Sequence, residues 1–273
     1  MTGKGRIFRQ LHERPGTFIL PNPWDAGSAR ILAAHGFEAL ATTSSGMAFS
    51  LGLPEGGVSR QATFEHCRQI VAATPLPVSA DLERGFGDSP EAVAATVRDA
   101  AAIGLAGCSI EDHTGSPDNP IYDFALAVER IAAAAEAARG LASDFVLTAR
   151  CENLLWDRPN LDDVVKRLQA FEQAGADVLF APGLRDPAAI GTVCGAVSRP
   201  VNIVMELSCS FTRAQAEAAG VKRISTGSKL ACLAYGALVK ATREMAEQGS
   251  FGFTAQAMGF AELSAYFTTP PAG

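Results

Sequence analysis

One pattern governs what this chain can fold into. A short apolar segment ends in polar residues, an Ala-rich amphipathic stretch follows and often stops at glycine, and the unit repeats eight times. Phe18-Ile19-Leu20 opens the series and leads into a helix that stops at Gly36. Further strands are predicted at about 39–43, 78–81, 107–110, 145–149, 177–180, 200–205 and 223–227. Helices are predicted at about 60–73, 90–104, 123–139, 161–174, 186–197, 212–219 and 228–248, with a helical lead-in over 1–16. Ser44-Ser45-Gly46 is read as the start of a long loop. Strands alternating with helices make βα units and a parallel sheet. Eight such units select a closed (β/α)₈ TIM barrel over an open sheet. Strands apolar along their whole length fit a sheet covered by helices. Residues 1–273 are therefore read as one barrel domain with a helical tail over about 228–273. The tail carries Phe251, Phe253, Phe260 and Phe267, more apolar surface than a lone surface helix exposes, which predicts a homo-oligomer.

Composition excludes several partners. Hydrophobic residues make up 48% of the chain and charged ones 19%, which fits a large core. A net charge of -6, with no basic run, argues against nucleic acid. No apolar run is long enough to span a membrane, and the polar start MTGKGRIFRQLHERPG lacks a signal-peptide core, so a cytoplasmic protein is expected. None of the six cysteines forms a CxxC pair; Cys108 and Cys194, in apolar runs, read as buried small hydrophobes. Gly85-Phe86-Gly87 lacks the third glycine of a dinucleotide fingerprint, and no Walker loop occurs.

The chemistry concentrates where strands end. Val78-Ser79-Ala80-Asp81-Leu82-Glu83 runs from apolar to acidic, and strand alternation points Asp81 and Glu83 the same way. Two carboxylates so placed suit a hard divalent cation, Mg²⁺ with Mn²⁺ as the alternative ion, or else form a solvated acidic turn. In a barrel the active site lies at the C-terminal strand ends. That set includes Trp24-Asp25, Ser44-Ser45-Gly46, Glu111-Asp112, Arg150 with Glu152, Asn202, Met205 with Glu206, and Ser225 to Ser228. Several acids, one cation and small hydroxyls make a composition suited to a metal ion and a small carboxylate substrate. Arg150 would either grip the carboxylate bidentately or pair with Glu152. Amides near Ser45-Gly46-Met47 could hold an anionic oxygen. Trp24 either faces substrate or caps the barrel, Ser225 to Ser228 either bind an anion or cap the last helix, and His113 is either an acid–base group or a solvated loop residue.

Together these stretches resemble the isocitrate lyase/phosphoenolpyruvate mutase superfamily from about Phe18 to Gly249. The motifs are NPWDAGSAR at 22–30, TTSSGMAFSLGLPEG at 42–56, SADLERGFGD at 79–88, CSIEDHTG at 108–115, TARCEN at 148–153, AGADVLFAPG at 174–183 and RISTGSKL at 223–230. The resemblance implies a barrel whose last helix is swapped between subunits of a dimer or tetramer. It also implies a Mg²⁺ site and the making or breaking of a C–C or P–C bond through a metal-stabilised enolate. It implies that Asp81, Glu83 and Glu111 serve the metal, Glu83 standing where the family often has Asp. Arg150, Ser45 and Glu111 become the candidate catalytic residues. Trp24, Ser45, Gly46, Met47, Arg150 and Asn202 become the candidate substrate contacts, and Glu55 lies near a further family acid.

The departures steer the choice of reaction. The lyase branch carries a Lys-Cys-Gly-His-type loop after the fourth strand, and the mutase branch places Lys and Asn there. Here Glu111-Asp112-His113-Thr114-Gly115-Ser116-Pro117-Asp118-Asn119-Pro120 holds Asn119 but neither Cys nor Lys. The expectation is a Mg²⁺-dependent lyase that decarboxylates or hydrolyses oxaloacetate-like 2-oxo acids. A P–C bond enzyme of the mutase or phosphonopyruvate hydrolase kind is the second reading. A barrel that binds 2-oxo acids without turnover is the third, and the three acids at 81, 83 and 111 count against it.

Overall fold

A computed structural model describes residues 3–205 and 212–268. Glu206 and Cys209 lie outside them. The chain runs α1 (Lys4–Glu13), β1 (Phe18–Leu20), α2 (Ala26–Ala34), β2 (Leu40–Ala41), α3 (Ser44–Ser50), α4 (Arg60–Ala73), β3 (Val78–Asp81), α5 (Pro90–Ala102), β4 (Gly107–Glu111) and α6 (Phe124–Arg139). It continues with β5 (Val146–Arg150), α7 (Leu161–Gln173), β6 (Val178–Phe180), α8 (Pro187–Ala196), β7 (Val201–Val204), α9 (Arg213–Ala218), β8 (Arg223–Ser225), α10 (Lys229–Gln248) and α11 (Phe260–Thr268). Among the described residues the eight strands are all parallel, ordered β1-β8-β7-β6-β5-β4-β3-β2. β1 and β2 share no ladder, but the Ala41 N–H donates to the Pro21 carbonyl at 3.1 Å and Asn22 Nδ2 to that of Thr42 at 2.9 Å. These two bonds bring the edges together, as expected of the (β/α)₈ barrel.

Local chemistry sets where the helices begin. Asp25, Thr43, Ser59, Ser89, Asn160, Asp186 and Thr212 each accept a first-turn N–H, and Pro90 and Pro187 occupy first positions, where a missing N–H costs nothing. Inter-strand side chains then divide into two cores. Val78, Ala80, Cys108, Ile110, Leu147 and Leu179 face outward and pack under the helices. Phe18, Leu20, Ala39, Val146 and Val178 face inward, where Phe8 and Leu11 of α1 close the N-terminal end of the barrel.

Two segments differ from the sequence reading. The stretch after β2 is helical rather than a long loop. The Thr43 hydroxyl caps Gly46 N–H at 3.3 Å, and the turn buries Met47 and Ala48. Burial there outweighs the poor helix propensity of Ser and Gly. The third strand stops at Asp81, and Glu83 sits at φ +49, so strand alternation does not orient it.

Helix α10 barely touches its own barrel. In the 20 residues of α10 only Ala231 is buried, while Leu233 is 73% and Leu238 57% exposed. α11 returns to α2, where Tyr266 stacks on His35 at 5.5 Å and Arg30 lies over Phe267.

Candidate active site

Because β3, β4 and β5 are in register at Asp81↔Ser109 and Glu111↔Arg150, the acids and the arginine rise on one rim of the barrel mouth. A cavity of about 290 Å³ opens there, walled by Ser44, Ser45, Asp81, Arg150, Asn202 and Ser225 among others. A second of about 700 Å³ adjoins it, with Glu83, Glu111, His113, Glu152 and Trp156 on its walls. Ser44, Glu55 and Arg150 border both.

Arg150 organises the charges. Its Nη1 lies 3.4 Å from Asp81 Oδ1 and 3.3 Å from Glu111 Oε2, and its Nε donates to Glu152 Oε1. Burial works to lower the guanidinium pKa, but the charges of Glu152, Glu111 and Asp81 outweigh it and hold it well above the ordinary value. The pairing with Glu152 is therefore present alongside the position at the cavity wall. Asp81 is fixed from the other side. Its Oδ2 accepts from Ser44 N–H at 3.1 Å and from Ser44 Oγ at 2.8 Å. Behind Arg150, Asp112 accepts from Glu152 N–H at 2.8 Å and pairs with Arg167 at 3.2 Å. Burial pushes Asp112 up to about 6. Glu152, 3% exposed, is likewise raised by burial against the pull of Arg150.

Glu83 carries the strongest sign of excess negative charge. Burial, then the charges of Asp81, Glu111 and Glu55, push its carboxyl up to about 7 while Arg150 opposes them. Asp81, Glu83, Glu111, Glu55 and Glu152 thus gather around Arg150. Among the described residues no three His, Cys, Asp or Glu side chains converge to ligate an ion directly. The donor set still fits Mg²⁺, which binds through one or two carboxylates and fills its shell with water.

The other expected residues are placed as follows. Ser45 Oγ donates to Glu55 Oε1 at 2.6 Å. The N–H groups of Gly46 and Met47 are spent on Thr43, at 3.3 and 3.0 Å, inside the first turn of α3. Neither Gly46, Met47 nor Trp24 lines the cavity. Instead Gly46 lets the chain pass Trp24, since a Cβ there would stand 2.9 Å from Trp24 Cβ. Asn202 does line it, donating through Nδ2 to Ser225 Oγ at 3.1 Å. His113 stacks on Trp156, 4.3 Å between centroids, with Nδ1 3.6 Å from Glu111 and a buried, unpartnered Nε2. Asn119 is exposed, because the loop folds on itself through Thr114 N–H to Pro120 O at 2.8 Å. Sequence reasoning assigned no role to Ser44, the residue that bonds Asp81; its position directly after the Thr43 cap was the available signal.

Residues 8–246 match the family model for phosphoenolpyruvate phosphomutase. The chain belongs to this family. It is an enzyme of the isocitrate lyase/phosphoenolpyruvate mutase superfamily. A Burkholderia cenocepacia J2315 structure, provisionally described as a lyase/mutase, is 52% identical with a TM-score of 0.96, over 98% of this chain and 96% of that one. The 2-methylisocitrate lyase of Escherichia coli K12 is 31% identical across 72% of this chain and 68% of its own length. An oxaloacetate acetylhydrolase, solved with its product oxalate, is 26% identical with a TM-score of 0.86, over 96% and 93% of the two chains. Within this phosphoenolpyruvate phosphomutase family member, the acids and the arginine come from the C-terminal ends of β3, β4 and β5, and Ser44 from the turn after β2.

Proposed function

We propose that this protein is a Mg²⁺-dependent lyase that cleaves a C–C bond in a small 2-oxo dicarboxylate such as oxaloacetate. The observation that carries the reading is the pair formed by Arg150 and Asp81 on the wall of the 290 Å³ cavity, with Glu83 and Glu111 on the adjoining one, which is bordered by a loop with neither Cys nor Lys. The family and the likeness to an oxaloacetate acetylhydrolase support it.

Asp81, Glu83 and Glu111 would hold the cation, which when bound polarises the substrate's oxo group and stabilises negative charge that develops there. The rest follows from the chain. Arg150 binds the carboxylate next to the oxo carbon through Nη2, since Nε is held by Glu152 and Nη1 faces Asp81 and Glu111. Ser44 fixes Asp81, so that acid is positioned before substrate arrives. Ser45 and Glu55 stand at the opening with a hydroxyl and a carboxylate 2.6 Å apart. Hydrolysis adds water to C2 and breaks C2–C3, with C3 taking a proton as acetate departs from oxalate. Decarboxylation breaks C3–C4, releases CO₂ and leaves the electron pair on the 2-oxo group as an enolate that takes a proton from water, with no acid required on a leaving group. That suits a site without the loop cysteine. Asn119, exposed and away from both cavities, gives no support to the phosphonate mutase reading.

We further infer a homo-oligomer in which the apolar residues of α10 and α11 are covered by a second copy. Proton NMR of oxaloacetate incubated with the enzyme tests the lyase reading: pyruvate, or acetate with oxalate, should form above the spontaneous rate. An unchanged substrate would refute it.

A further inference from the structure

Around and below the rim acids several inward positions of the strands are polar, Ser79, Ser109, Thr148, Asn202, Arg223 and Ser225, beside the apolar Leu20, Val178 and Phe180. Barrels usually fill this layer with bulky branched side chains. Here the small hydroxyls leave room, and the 290 Å³ cavity reaches down to Ser79, Asn202 and Arg223.

Arg223 is the unusual member. It is only 4% exposed. Its Nε donates to Asn202 Oδ1 at 2.8 Å, Nη1 to His12 Nε2 at 3.2 Å, and Nη2 to Thr148 Oγ1 at 3.0 Å. All three acceptors are uncharged; His12 donates Nδ1–H to the Phe8 carbonyl at 2.8 Å and is held neutral by burial and by Arg223 itself. A guanidinium has five N–H groups. Two therefore have no acceptor among the described residues. Nor does a carboxylate among them offset the charge, and desolvation alone pulls the guanidinium down to about 9. A buried charge without a counter-charge is costly and uncommon.

The contrast with Arg150 locates its use. The register runs Arg150↔Phe180, Phe180↔Asn202, Asn202↔Arg223, so both arginines face the barrel interior three strands apart. Both line the same cavity. Arg150 is surrounded by three carboxylates, whereas Arg223 has none. One end of the cavity holds excess negative charge and suits a cation with one substrate carboxylate. The other end holds an unneutralised positive charge with free donors.

We infer that Arg223, steadied by Asn202, receives the second anionic group of the substrate and makes the site selective for dianions. Asn202 fixes the guanidinium through Nε, and the second N–H of Nη1 and of Nη2, beside the bonds to His12 and Thr148, remain to donate to a carboxylate in the cavity. Arg223 is then a specificity-determining residue, distinct from the rim acids. This rests on the reading that the 290 Å³ cavity is the substrate site.

Succinate and butyrate, equal in carbon number and differing in one carboxylate, separate the possibilities. Calorimetric titration of the full-length protein with Mg²⁺ present should show succinate bound on the order of 10- to 100-fold more tightly, the range of a charge-assisted hydrogen-bond pair. Arg223→Gln should erase that preference and leave butyrate affinity within about twofold, since Arg150 is untouched. A folded Arg223→Gln protein that keeps the preference would overturn the inference. Should that variant not fold, ¹⁵N NMR of wild-type arginine side chains decides. The Nε resonance missing in Arg223→Lys should move with succinate and not with butyrate; no movement at saturating succinate overturns the inference. Succinate preference without oxaloacetate turnover would sink the lyase reading alone. Turnover with equal affinity for the two acids would sink this one alone.

Discussion

Replacing His12 with glutamine should flatten the dependence of stability on pH between about 7 and 5. His12 lies on α1 beneath the barrel, edge-on to Phe8 and Phe18 at 4.7 and 5.0 Å, and accepts from Arg223. Burial, then the charge of Arg223, lowers its pKa from 6.5 to about 3. In the unfolded chain it titrates near 6.5. The folded value is the lower one, so below pH 6.5 the unfolded state binds the extra proton. Stability from this residue is complete above 6.5 and is lost as pH falls toward 3. The loss is about 1.4 kcal/mol per pH unit, hence roughly 2 kcal/mol at pH 5. Glutamine is neutral throughout and can still accept from Arg223 and donate to Phe8. Urea unfolding of both proteins at pH 7 and pH 5 cancels every other titrating group in the difference. The wild type should lose roughly 2 kcal/mol more than the variant between those pH values. Equal losses would refute the placement of a neutral histidine under the barrel.

Three further outcomes follow from the geometry. Arg150→Met leaves Asp81, Glu111 and Glu152 without their shared cation and should cost about 3–5 kcal/mol at pH 7, the usual penalty for breaking a buried ion pair; an unchanged thermal midpoint would contradict it. Gly46→Ala places a methyl 2.6 Å from Thr43 Cγ2 and 2.9 Å from Trp24 Cβ, and should cost about 1–3 kcal/mol by urea unfolding. Leu233→Glu puts a charge on the most open apolar position of α10 and should shift the protein toward monomers in light scattering, whereas an unaltered mass would show that α10 lies outside the subunit interface.

The barrel was legible in the sequence because each βα unit announces itself locally. Apolar runs end in Asp81, Glu111 and Arg150, and side-chain caps such as Ser59, Ser89 and Asp186 precede the helices that cover the sheet. The rim acids were legible for the same reason, since a strand's last residue marks the mouth. What escaped depended on tertiary contacts. α3 was hidden because Ser44-Ser45-Gly46 has loop composition, and only burial of Met47 with the bond to Asp81 makes it a helix. Glu83 kept company with Asp81 for a different reason than strand parity: the chain turns at φ +49. Arg223 was visible as the opening residue of the last strand. That it lacks a carboxylate partner follows from which side chains seven other strands and α1 bring beside it, which no local pattern records.

The central claim is that the rim acids and Arg150 make a metal-dependent C–C lyase site. It is tested most directly by following oxaloacetate with proton NMR in Mg²⁺ and in EDTA, for the wild type and Asp81→Asn. The expected result is pyruvate, or acetate and oxalate, above the spontaneous rate in Mg²⁺, abolished by EDTA and reduced at least about 100-fold in the variant. Oxaloacetate that decays in Mg²⁺ at the rate of the enzyme-free control would contradict the claim.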